Sequence, residues 1–99
     1  MLDKTDILNF LRANKEYFKT KFNVIKIGIF GSYARGEQTD NSDIDIIIEF
    51  EDNTDNLFDK KFELREFLVL KFNKKIDICR EKAIKPIFKP LILKDTIYV

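Results

Sequence analysis

Apolar residues recur at near-helical spacing close to the start of the chain. Ile7, Leu8, Leu11, Tyr17 and Phe18 predict an amphipathic helix over residues 5–21, with Thr5 or Asp6 as its cap. The pattern then shortens to period two. VIKIGIF at 24–30 is rich in β-branched residues and reads as a strand, followed by a tight Gly31-Ser32 turn and a short helix through Arg35 that Gly36 can end. EQTDNS is a polar loop, residues 43–50 form a second strand, and 51–55 form its exit loop. A long helix follows over 56–72, with Leu57, Phe58, Phe62, Leu68 and Phe72 as expected core contacts. KKIDICR at 74–80 reads as a third strand. Pro86 and Pro90 punctuate a short helix near 87–94 and an extended tail over 96–99. The order α-β-α-β-α-β-α predicts an α/β (α+β) fold, a small sheet flanked by helices.

Composition narrows the chemistry. Ninety-nine residues predict a single domain over 1–99, and 44% hydrophobic residues with ten Phe supply a core. The net charge of +1 gives no reason to expect direct nucleic-acid binding. Charge is nevertheless segregated. Residues 37–59 carry nine acids and no Lys or Arg, whereas residues 71–94 carry eight basic residues against two acidic. That split suits a site holding metal and polyphosphate, and it would equally describe two solvated faces. The absence of histidine removes imidazole bases and His-based zinc sites, leaving any catalysis to carboxylates and what they hold. The single cysteine, Cys79, lies in an apolar strand pattern and reads as a small core residue rather than a nucleophile. No apolar run reaches the roughly 18 residues of a membrane span, and Asp3, Lys4 and Asp6 do not form a signal pattern, so a cytoplasmic location is expected.

Against this background one detail stands out: the isoleucine run of the second strand opens with Asp43-Ile44-Asp45. Strand periodicity puts Asp43 and Asp45 on one face and Ile44, Ile46 and Ile48 on the other. Two neighbouring carboxylates ionise together cheaply only beside a cation. A few hard oxygen donors suit Mg²⁺. Asp77, between Ile76 and Ile78, is a third carboxylate interrupting an apolar pattern. If its strand lies beside the second, three acids converge and can hold two metal ions about 3.5–4 Å apart, as in phosphoryl or nucleotidyl transfer. As alternatives, an Asp-x-Asp pair can be a solvated loop feature, and the third acid can guard a sheet edge. Gly31 and Ser32 offer close backbone approach and a hydroxyl to a phosphate. Neither the Rossmann nor the P-loop glycine pattern is present.

Gly-Ser, ten residues, then Asp-x-Asp resembles the signature of the DNA polymerase β-like nucleotidyltransferase superfamily. GSYARGEQTDNSDIDIIIEF, with KKIDICREKAIKPIFKPLILKDTIYV beyond it, resembles the minimal nucleotidyltransferase branch, antitoxins paired with HEPN-domain toxins. The resemblance implies a nucleotidyltransferase fold with a mixed sheet, two Mg²⁺ ions and ATP as substrate. It implies that Asp43 and Asp45 bind both metals, that Asp77 binds the one activating the attacking hydroxyl, and that Gly31 and Ser32 hold the β- and γ-phosphates. Arg35 matches the family's arginine, which implies a phosphate contact or a site-bracing role, with a plain structural ion pair as the alternative. The expected function is transfer of AMP to a tyrosine of a HEPN toxin within a hetero-oligomer. The alternatives are a toxin-masking subunit without transfer, or a small-molecule nucleotidyltransferase completed by a helical partner. Because a chain of this length has no separate acceptor domain, the acceptor is expected on another molecule. Ile87, Phe88, Leu91, Ile92 and Tyr98 could form the dock or simply be core.

Overall fold

A computed structural model describes residues 2–99, which form five α-helices, one 3-10 turn and a four-stranded sheet. Helix α1 (Lys4–Ala13) begins at Asp3 rather than Thr5 or Asp6. The Asp3 carboxylate accepts from the Asp6 N–H at 2.9 Å, and Asp6 reciprocates on the Asp3 N–H at 3.1 Å. The expected single helix over 5–21 is two. Asn14 turns its side-chain amide onto the Phe10 carbonyl at 2.8 Å, the local competition by which Asn interrupts helices, and α2 (Lys15–Phe22) starts afresh. Asn23 then ends α2 in the left-handed conformation.

Strand β1 (Val24–Phe30) runs directly into helix α3 (Gly31–Arg35), and β2 (Ile44–Phe50) returns antiparallel to β1. Helix α4 (Leu57–Phe72) crosses to β3 (Ile76–Arg80), which is parallel to β2. A 3-10 turn (Glu81–Ala83) and α5 (Lys89–Lys94) lead to β4 (Ile97–Tyr98), antiparallel to β1, so the expected extended tail completes the sheet. Strand order is β3-β2-β1-β4. Two boundaries move inward: β2 starts at Ile44, one residue after Asp43, and β3 starts at Ile76 rather than Lys74.

Registration sorts the sheet into two faces. Ile29, Ile46 and Ile78 align across β1, β2 and β3, as do Ile44 and Ile76, and all belong to one core with Ile7, Leu11, Phe18, Leu64 and Leu68 from the helices. Aromatic contacts join those helices: Phe10 meets Phe72 edge-on at 5.3 Å, and Phe18 meets Phe67 at 6.0 Å. On α4 the core contacts are Leu64 and Leu68, with Leu57 and Phe72 packed alongside, whereas Phe58 and Phe62 face solvent at 83% and 49% exposure. Apolar residues lie nearly all round α4, so spacing alone could not select its inner face.

The opposite face carries Phe30, Asp45 and Asp77 in one row and Gly28, Ile47, Cys79 and Tyr98 in the next. Gly28 is required there because a Cβ would stand 2.3 Å from the Ile97 carbonyl oxygen, displacing β4. Among the described residues, no helix is long and apolar enough to cross a membrane.

Candidate active site

The parallel pairing of β2 and β3 places Asp45 directly beside Asp77. This is the adjacency on which the three-carboxylate expectation depended. Asp43 sits just before β2, with Oδ2 3.7 Å from Lys75 Nζ. Its charge still acts on Asp45. Burial, then Asp77, then Asp43 push the Asp45 carboxyl up to about 6, while Arg35 opposes the rise. Among the described residues, no three acidic, cysteine or histidine side chains are drawn close enough to form a ready-made metal cage. What the fold supplies is a registered pair and a nearby third acid, all oxygen donors, with an unfavourable concentration of negative charge. That donor set fits Mg²⁺, which needs few protein oxygens and lifts the repulsion when it binds.

Gly31 is fitted to this cluster. Its φ is +73°, and a Cβ on it would lie 2.1 Å from Asp45 Oδ2, so both the turn and the carboxylate exclude any side chain. Ser32 follows on α3, partly open to solvent, and α3 closes at Gly36 in the left-handed region. Gly31 therefore borders Asp45 directly, and Ser32 is the next residue along α3.

Arg35 forms an ion pair, Nε to Glu37 Oε1 at 2.7 Å and Nη1 to Asp95 Oδ2 at 3.5 Å. It ties α3 to the end of α5 while its charge still reaches Asp45. These contacts are those of an ion pair, and the Arg35 charge acts to lower the Asp45 pKa. Asp95 carries no sequence signal for this role, because its contact with Arg35 spans sixty positions, whereas Glu37 is only two residues away.

Two further residues escaped the sequence reading. Glu49, 3% exposed, accepts from Arg80 Nε and Nη2 at 3.1 and 2.8 Å and from the Lys82 and Phe50 N–H groups at 2.9 Å. Burial alone would raise its pKa, but these donors together hold it below the ordinary carboxylate value. Lys75 beside Asp43 was the other. Its spacing of two from Asp77 was the available signal. Cys79 is half-buried and its thiol is pushed up by burial, which suits a packing residue rather than a thiolate nucleophile. Ile87, Phe88 and Leu91 are 77%, 52% and 68% exposed, so the plain core reading fails for them, whereas Ile92 and Tyr98 are partly buried.

A family model for the nucleotidyltransferase domain matches residues 11–99. The chain belongs to this family. A candidate protein adenylyltransferase of Methanocaldococcus jannaschii is 44% identical over 96 residues, 96% of each chain. The protein adenylyltransferase MntA of Thermococcus cleftensis is 34% identical across all of this chain and 98% of its own. Among solved structures, a candidate minimal nucleotidyltransferase matches with a TM-score of 0.72 at 26% identity, covering 97% of this chain and 95% of that one. A toxin–antitoxin structure with AMP-PNP matches at 0.67 and 26% identity, covering 98% of this chain and 72% of that one. The chain is thus a minimal nucleotidyltransferase, and the fold and family implied by its Gly-Ser and Asp-x-Asp motif are borne out.

Proposed function

We propose that this nucleotidyltransferase is a Mg²⁺-dependent protein adenylyltransferase and an antitoxin, moving AMP from ATP onto a tyrosine of a cognate HEPN toxin in the cytoplasm. The single observation that carries the reading is the Asp45–Asp77 register beside a glycine that nothing larger can replace. The names of its relatives, and the AMP-PNP in a similar toxin–antitoxin structure, support the nucleotide and the partner.

Asp43 and Asp45 would hold two Mg²⁺ ions, with Asp77 completing the shell of one. Bound there, the ions supply charge neutralisation for the triphosphate and a lowered pKa for the attacking hydroxyl. Gly31 and Ser32 receive the β- and γ-phosphates. The tyrosine oxygen attacks the α-phosphorus, and a new P–O bond forms as the bond to the β-phosphate bridging oxygen breaks. The phenolic proton passes to Asp77 or water, and pyrophosphate departs. The protein's part is positioning and electrostatics, the usual demand of such transfers. Ile87, Phe88 and Leu91 form an exposed apolar strip suited to docking the toxin.

The test is incubation with α-labelled ATP, Mg²⁺ and the cognate toxin, followed by intact-mass measurement. A mass increment of one adenylyl group on the toxin, absent with Asp43→Ala and Asp45→Ala, is the expected result. Toxin that is bound but never labelled would instead establish the masking role and reject transfer.

A further inference from the structure

We infer that Lys75 belongs to the site, as the counter-ion of Asp43 in the metal-free protein and a ligand of the nucleotide phosphates once a divalent cation takes its place. The inference rests on the nucleotidyltransferase reading and extends it to a residue outside the family signature.

The backbone fixes where this lysine starts. The Ile44 N–H donates to the Lys75 carbonyl at 3.0 Å, extending the β2–β3 ladder one step before Ile76, so Lys75 is anchored next to Asp43. Its spacing of two from Asp77 places it on the side of the chain that faces the acids. The side chain is unrestrained by comparison, 73% exposed, with Nζ 3.7 Å from Asp43 Oδ2. Its neighbour differs. Lys74 places its ammonium 2.9 Å from the Asp40 carbonyl oxygen and holds the loop.

An ammonium on a long stem beside an intended metal ligand has two consequences. It neutralises Asp43 while no cation is present, so an incoming cation must displace it. Once displaced, it remains within a side-chain length of the site, where polyphosphate brings several negative oxygens. A flexible point charge of this kind follows phosphate without demanding fixed geometry. The contact with Asp43 is exposed and weak, which makes exchange cheap.

Calorimetric titration of the purified chain tests both halves, with Mn²⁺ alone and with AMP-PNP in saturating Mg²⁺. Lys75→Met keeps the stem and removes the charge. It should bind Mn²⁺ alone about threefold more tightly and AMP-PNP about tenfold more weakly. Lys75→Arg should retain most of the nucleotide affinity. Lys85→Met, the same change on an exposed lysine elsewhere, should alter neither. Unchanged binding in Lys75→Met, weaker Mn²⁺ binding in it, or equal effects from Lys85→Met would each overturn the assignment. Wild-type protein that binds no AMP-PNP would overturn the nucleotide half together with the proposed function. Wild-type binding that Lys75→Met leaves intact would overturn the role of Lys75 alone.

Discussion

At the scale of single residues, the strongest constraints are steric and electrostatic. Gly31→Ala would strain a φ of +73° and drive a methyl group into Asp45 Oδ2. The carboxylate must move or the turn must open, so adenylylation should fall at least about a hundredfold, since small displacements of catalytic groups cost that much. Circular dichroism should report an intact fold. Glu49→Gln tests the other buried acid. It weakens the charge-assisted contacts with Arg80 and places an amide among donors, which should cost about 1–3 kcal/mol in urea unfolding. A carboxyl whose folded pKa is depressed stabilises above its unfolded value, near 4.3, and that stability disappears as pH falls through the folded value. Glu49→Gln should therefore flatten the wild-type acid-side decline. The Gly31 turn and the Asp-x-Asp pair were legible because both are local. Glu49 was not, since Arg80 and Lys82, which supply all but one of its donors, lie more than thirty positions away.

Elements were legible where periodicity was unambiguous. β1 was read at its observed bounds of 24–30, and the expected short helix through Arg35 forms as α3. The long first helix failed at Asn14, where one side-chain hydrogen bond outweighs a continuous apolar pattern. The inner face of α4 failed for the opposite reason, an excess of apolar positions. β4 is two residues long; its extended conformation was expected, but its pairing with β1 was not, and that pairing exists because Gly28 lets it approach. Gly28→Ala should release it. The Val99 N–H, which donates to the Ile27 carbonyl at 3.1 Å, should lose hydrogen-exchange protection, while amides in the β1–β2 pairing keep theirs. Loss of protection throughout the sheet would show instead that β4 is integral to the whole fold.

For the molecule as a whole, the fold sets stability against function across one sheet. One face is covered by α1, α2 and α4, while the other keeps Asp45 next to Asp77 and within the influence of Asp43. Without a cation, that arrangement costs free energy. Asp45 titrates at about 6, above its unfolded value near 3.9, so its favourable protonated form is complete below that value. The associated stability is then lost as pH rises through about 6. Asp45→Asn removes the charge, and in metal-free buffer at pH 7.5 it should raise stability by about 1 kcal/mol, or about 5 °C in melting temperature. Between pH 4 and 7 its melting temperature should vary less than that of wild type. Divalent cation should reverse the order. Wild-type protein gains stability with the logarithm of Mn²⁺ concentration above its dissociation constant, while the variant, lacking a central ligand, gains little. The two melting temperatures should therefore cross as Mn²⁺ is raised. Parallel curves would mean that the acids are not held apart for a metal, because an ordinary solvated cluster gives neither the gain from Asp45→Asn nor the crossing.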